Sequence, residues 1–87
     1  MSFLAQNSFL QAFDQLSNEC VGAVVGKLEQ QADGRRKGYV AMLAVDESCR
    51  RMGLGTRLVR RAIENMRKNG CDEVYLETEV GFHLLYH

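Results

Sequence analysis

Between residues 38 and 80 the spacing of apolar residues changes twice, and that change constrains the fold more than any other feature of the chain. "GYVAMLAVD", residues 38–46, is a nearly unbroken apolar run of strand length, the pattern of a central strand buried on both faces. From Leu54 the apolar positions become Leu54, Leu58, Val59, Ala62, Ile63 and Met66, which line one face of a helix, with Arg57, Arg60, Arg61, Glu64, Arg67 and Lys68 on the other. Gly70 stands where a left-handed helix terminator is wanted, and Arg67 and Lys68 complement the negative end of the helix dipole. "DEVYLETEV", residues 72–80, then alternates Val74, Leu76, Thr78 and Val80 against Glu73, Tyr75, Glu77 and Glu79, a strand with one apolar face and one of acids and a tyrosine. Strand, helix and strand with short joints make a βαβ unit, whose right-handed crossover sets the two strands parallel.

Upstream, "CVGAVVGKLEQ", residues 20–30, reads as a strand of small and β-branched residues, and the Asp33-Gly34 pair after it as the turn of an antiparallel hairpin with residues 38–46. Residues 1–18 show no clean period and are expected to form a short helix or a strand. The fold class is therefore α/β with a mixed sheet: an antiparallel hairpin followed by a βαβ unit, with one long helix packed on the sheet. Eighty-seven residues support one domain, residues 1–87, with a small core, because a chain of this size buries only about 60% of the surface its unfolded form exposes.

Apolar residues at 46% and charged residues at 25% are the balance of an ordinary soluble domain, and no apolar run approaches the roughly 20 residues of a membrane span. The opening "MSFLAQNSFLQAF" lacks the basic leader and apolar block of a secretory signal, so the expected compartment is cytoplasmic and no membrane partner is expected. Cys20, Cys49 and Cys71 are odd in number and form no C-x-x-C pair, which argues against a disulfide framework and a zinc site. His83 and His87 have no cysteine or carboxylate at ligand spacing, so no metal is expected.

A net charge of zero hides an uneven distribution. Residues 50–70 carry seven basic side chains against Glu64 alone, whereas Asp72, Glu73, Glu77 and Glu79 follow without a balancing cation. Long nucleic acid calls for a domain that is basic as a whole, so binding of nucleic acid by the basic helix face is the least favoured alternative and no direct nucleic-acid partner is expected. A small polyphosphate needs only a local site, and "RRMGLG", leaving a strand and opening a helix, supplies one: backbone N–H groups and the helix dipole face outward, Gly53 and Gly55 let an anion approach, and Arg50 and Arg51 sit at the rim. The dinucleotide fingerprint would need glycine where Leu58 stands, and the Walker loop would need a Gly-Lys-Ser/Thr that is absent.

The run Arg50-Arg51-Met52-Gly53-Leu54-Gly55 matches the R/Q-x-x-G-x-G/A signature of the GNAT acetyltransferases, between a buried strand and a long helix as in that family. More narrowly, "ECVGAVVGKLE", "GYVAMLAVDESCRRMGLGTRLV" and "CDEVYLETE" are similar to the catalytic subunits of NatC-type N-terminal acetyltransferase complexes, over about residues 19–79. The resemblance implies a GNAT-like core and transfer of acetyl from acetyl-CoA to the α-amino group of protein N-termini, in this branch Met followed by a bulky apolar residue. It implies a CoA pyrophosphate on the backbone of Arg50, Arg51, Met52, Gly53, Leu54, Gly55 and Thr56, with Arg57 reaching toward the adenine-side phosphates. The pantetheine arm would run along Leu43, Ala44 and Val45 as an added strand, whose N–H groups would polarise the thioester carbonyl. Glu77, in "LETE", matches the acid that takes the proton from the amine, and Tyr86, in Leu85-Tyr86, is the candidate to protonate the leaving thiolate. Auxiliary NatC-type subunits and ribosome association are the implied partners. After "LETEV" the family continues with a loop, a helix ending in Leu-Tyr, a Gly-Phe turn and two strands, whereas this chain reads "GFHLLYH". The C-terminal part of the fold is thus expected to be missing, and a truncated, non-catalytic CoA-binding or interaction module is the alternative.

Overall fold

A computed structural model of the chain describes residues 1–6, 9–78 and 80–86. The elements run β1 (Ser2–Gln6), β2 (Phe9–Phe13), β3 (Cys20–Gln30), β4 (Arg36–Val45), α1 (Leu54–Lys68), β5 (Glu73–Thr78) and β6 (Gly81–Tyr86), with a 3-10 turn at Glu47–Cys49 ahead of the helix. The six strands form one sheet in chain order. Every neighbouring pair is antiparallel except β4 and β5, which α1 joins as a parallel crossover.

The βαβ unit and the β3–β4 hairpin thus form as their periodicities predict, and toward the N-terminus Ser2–Gln6 and Phe9–Phe13 are strands. Helix α1 ends at the expected residue. Gly70 adopts φ +88°, and the Gly70 and Cys71 amides donate to the Arg67 and Met66 carbonyls, closing the last turn. The β5 strand is shorter than the expected 72–80, and Glu79 and His87 lie outside the described residues.

One face of the sheet carries the helix. Leu54, Leu58, Ala62 and Met66, four apart along α1, are buried against Leu10 and Ala12 of β2, Val24 of β3, Val40 of β4 and Val74 of β5. The helix lies close because β3 offers glycine beneath it: a Cβ on Gly22 would meet Leu58 Cδ1 at 2.8 Å, and one on Gly26 would run into Met66 Cε. Val59 and Ile63, expected in the core, flank this stripe half-buried, because a single layer of sheet receives only the central row of the helix.

Among the described residues no helix covers the second face of the sheet, and this corrects the expectation that residues 38–46 are buried on both faces. Val40 is fully buried, but Met42 is 49% and Leu43 42% exposed. A continuous apolar run fits two-sided burial, but here it marks a strand whose outer half loses a neighbour.

Leu58→Ala deletes a fully buried side chain at the centre of the contact between α1 and the sheet and should cost about 2–5 kcal/mol, enough to unfold much of the population of so small a domain. Leu16→Ala, at a side chain 99% exposed, should stay within about 0.5 kcal/mol; urea unfolding followed by circular dichroism compares the two.

Candidate functional site

The path from β4 to α1 is a sequence of small, specific turns. Asp46 closes the 3-10 turn by accepting from the Ser48 amide at 3.1 Å and from the Ser48 hydroxyl, and these bonds, the hydroxyl first, hold its carboxyl below the usual aspartate range. A folded value below the unfolded one means that this turn is held above the ordinary aspartate range and loosens as pH falls through the lowered value. Buried Cys49 anchors the turn in the core, and Arg50 Nε donates to the Val45 carbonyl at 3.3 Å. Arg51 at φ +67° and Gly53 at φ +73° then swing the chain into the helix.

The start of α1 is left open. Gly53 is its N-cap and makes no side-chain cap, the first turn holds no acid, and the first helical bond runs from the Arg57 amide to the Gly53 carbonyl at 3.1 Å. The amides of Leu54, Gly55 and Thr56 precede that bond and have no acceptor within the helix, so they and the dipole behind them favour an anion. A groove of about 310 Å³ lies here, lined by Val45, Arg50, Arg51, Gly53, Gly55 and Thr56 among others. A second, of about 410 Å³, shares Gly55 and Thr56 with it and continues along Leu43, Val59 and Arg60.

Next to this groove the sheet splits. β4 pairs with β3 from Arg36 to Val45, but with β5 only from Lys37 to Val40. The β3–β4 register shifts at the parting: Val25 faces Met42 and Gly26 faces Val40, which leaves Ala41 as an extra, bulged residue. From Ala41 to Val45 the β5-facing edge of β4 has no strand neighbour among the described residues. An extended ligand can add there as a strand does, through main-chain hydrogen bonds. Leu43 and Val45 point toward the helix, at 3.7 and 3.8 Å from the position a Cβ on Gly55 would take, while Ala44 lines a separate shallow groove with Cys20 and Asp46 on the other side of the strand.

Glu77 is the first β5 residue beyond the last parallel pair, Val40 with Leu76. Its side chain, 37% exposed, is on the face away from the helix, where Lys27 Nζ approaches its carboxylate at 3.7 Å. The same face carries an aromatic group: Tyr39 and Tyr75 stack with centroids 5.8 Å apart, and Phe82 meets Tyr39 edge-on at 5.3 Å. Tyr75 donates to Glu73 at 2.7 Å, and that bond pushes its phenol up from the ordinary range.

The turn residues Arg50, Arg51, Gly53, Leu54, Gly55 and Thr56 therefore meet Leu43 and Val45 around one continuous groove, with Leu54 contributing its main chain while its side chain is core. Met52, 65% exposed, lines neither part of it. Tyr86 is not brought to Glu77. It is on β6, opposite Val74, on the helix face and beside Arg67, whereas Glu77 pairs with Phe82 on the other face. The reason is the hairpin: residues 81–86 pair back on β5, and strand register decides where Tyr86 goes. Arg57 is turned toward β1: Arg57 and Arg61 lie over the Phe3 ring, at 5.1 and 4.0 Å from its centre. Val59, Arg60 and Lys27 join the site without a signal in the sequence, because a groove wall and a cross-strand contact have no period of their own.

Comparison with known proteins gives a consistent family. The model of the acetyltransferase (GNAT) family matches residues 2–84. The chain is 54% identical over 65 residues to a Xenopus laevis protein named N-alpha-acetyltransferase 30, covering 75% of this chain and 24% of that protein. It is 42% identical over 60 residues to the Saccharomyces cerevisiae protein of the same name, covering 69% of this chain and 34% of that one. A crystal structure of the NatC complex bound to Gag peptide and CoA contains a chain that superposes with a TM-score of 0.74 at 37% identity, over 83% of this chain and 47% of that one. The chain thus spans about a quarter of the length of the first of these curated relatives and about a third of the second.

The two glycines of the turn should respond to alanine with opposite signs. Gly53→Ala forces a Cβ into the left-handed region and should cost about 1–2 kcal/mol. Gly55→Ala meets only ordinary contacts inside a helix and should gain about 0.5–1 kcal/mol, both read from thermal melts.

Proposed function

The chain belongs to the acetyltransferase (GNAT) family, and from that premise we propose that it binds acetyl-CoA along the open edge of β4 and transfers the acetyl group to the α-amino group of protein N-termini that begin with Met and a bulky apolar residue. The observation that carries this reading is the unpaired β4 edge, Ala41 to Val45, which runs from the uncapped start of α1 to Glu77. In this reading the amides of residues 54–56, with Arg50 and Arg51, hold the pyrophosphate. The pantetheine arm adds to β4, and the thioester arrives where β4 and β5 part. Glu77 accepts a proton from the substrate's α-ammonium, directly or through water, and the freed amine attacks the thioester carbonyl carbon. Main-chain N–H groups of the open edge hold the negative charge that gathers on the carbonyl oxygen. The nitrogen gives up its second proton to solvent as the C–S bond breaks, and the thiolate takes its proton from Glu77 or from solvent, since Tyr86 stands on the far face of the sheet. By likeness to the NatC complex, auxiliary subunits, ribosome association and a cytoplasmic site of action belong to the same proposal.

The position of Tyr86 favours a second reading, a module that binds CoA without transferring acetyl. One set of measurements separates the two. A ligand at a hundredfold excess over its Kd should stabilise the fold by about 2.7 kcal/mol, which raises Tm by several degrees. An unchanged Tm with excess acetyl-CoA overturns the cofactor site. Stabilisation without acetylation of a Met-Leu peptide supports the module. Turnover that falls about a hundredfold or more in Glu77→Gln, with acetyl-CoA binding kept, supports transfer with Glu77 as base. Gly55→Ala should weaken acetyl-CoA binding about tenfold while leaving the fold at least as stable, because its Cβ occupies the groove shared by turn and strand.

A further inference from the structure

Glu77 already has an amine beside it. Lys27, on β3, sits opposite Tyr39 of β4, and its side chain reaches across that strand, with Nζ 5.4 Å from the Tyr39 ring centre and 3.7 Å from Glu77 Oε2 on β5. With side chains 54% and 37% exposed, such an ion pair adds little to stability, so folding does not require it. Its placement matters for chemistry instead. A primary amine, a carboxylate and the parting of β4 from β5 meet on one face of the sheet, and acetyl transfer to an amine needs the first two at the place where the thioester arrives.

We propose that Lys27 is itself an acetyl acceptor, modified within its own chain by bound acetyl-CoA with Glu77 as the base. The inference rests on the acetyl-CoA site proposed above. Glu77 takes one proton from the Lys27 ammonium, the neutral Nζ attacks the acetyl carbonyl carbon, and an N–C bond forms as the C–S bond breaks. Nζ loses its second proton to solvent, and the thiolate leaves as the CoA thiol with a proton from Glu77. The product is an Nε-acetyl amide at Lys27, with no oxidant or reductant required. An ε-ammonium holds its proton more tightly than an α-ammonium, so the step is slow beside turnover of a peptide N-terminus, and it happens once per chain. It also removes the cation from Glu77 and leaves the carboxylate unpaired for an incoming α-ammonium.

The chain carries its own controls. Lys37 also lies over an aromatic ring, with Nζ 5.6 Å from the Tyr75 centre, but has no carboxylate at ion-pair distance among the described residues, and Lys68 is on the exposed side of α1. Incubation of the 87-residue chain with acetyl-CoA, digestion and mass spectrometry should show Lys27 acetylated about a hundredfold faster than Lys37 and Lys68. The rate per chain should not change with protein concentration, and Glu77→Gln should bring Lys27 to the level of the other two. Thermal melts on the same samples report acetyl-CoA binding independently. If acetyl-CoA stabilises the chain and Lys27 reacts no faster than Lys37, self-acetylation is overturned and the cofactor site stands. If acetyl-CoA does not stabilise the chain, both fall. Selective acetylation that persists in Glu77→Gln, or a rate that grows with protein concentration, overturns the intramolecular step assisted by Glu77.

Discussion

Everything in this fold depends on one contact, a single helix laid on a glycine-relieved face of a single sheet. Gly22 lies beneath Leu54 and Leu58, while Gly26 and Gly38 lie beneath Met66, so the helix axis is fixed at both ends by side chains that fit only where Cβ atoms are missing. With no second helical layer among the described residues, Leu54, Leu58, Ala62 and Met66 supply much of the apolar burial. The site follows from that packing. Leu54 cannot leave the core, so the helix must begin beside the outer half of β4, and buried Cys49 pins the preceding turn. The free amides of α1 are held against the unpaired strand edge by core contacts rather than by any interaction of their own.

Elements whose information is local could be read from the chain, and those set by pairing could not. Helix α1 declares itself through a stripe repeated every four residues and a terminating Gly70, and the parallel crossover follows because strand, helix and strand occur in close order. The β1–β2 hairpin and β6 depend on partners: Phe3 is held by Arg57 and Arg61, more than fifty residues away, and β6 exists as a strand by pairing on β5. Tyr86 shows the cost of matching by residue type alone. Leu85-Tyr86 has the composition of a helix-ending pair, but a hairpin register places the tyrosine opposite Val74, on the wrong face for Glu77. The turn from Arg50 to Gly55 was legible because glycine spacing, flanking arginines and position between strand and helix are all local. The split beside it was not, since a continuous apolar run looks the same whether its strand is sandwiched or half open.

Charge follows the same division. The basic run from Arg50 to Lys68 suggests a polyanion surface, but three of its seven cations are engaged elsewhere. Arg67 makes a two-point bond with Glu64, which holds that carboxyl below its usual range, and Arg57 and Arg61 cover Phe3. The cations that line the groove are Arg50, Arg51 and Arg60, a cluster that suits a short polyphosphate rather than a long backbone. The acidic residues of β5 lie on the opposite face, so the sheet separates an anion-binding side from one that carries a carboxylate, an amine and three aromatic rings.

The opening between β4 and β5 is both the weakness of the fold and the reason for it. An unpaired strand edge with exposed Met42 and Leu43 invites association with other chains, and evolution commonly blunts such edges with charge or proline. Here the edge from Ala41 to Val45 carries neither. What protects it is geometry: the bulge at Ala41 turns the strand at the parting, and the start of α1 crowds one side, so a second flat sheet meets a twisted, partly walled edge. A narrow, flexible ligand with an extended polar arm and an anionic end meets no such obstacle. The free main-chain groups of β4 and the free amides of α1 are both unpaired on the protein side, and one ligand of that shape satisfies both at once. The lining divides in the same way: Leu43, Val45 and Val59 border the stretch along the strand edge, while Arg50, Arg51 and the two glycines surround the open start of the helix, so main-chain groups serve the arm and cations the anionic end.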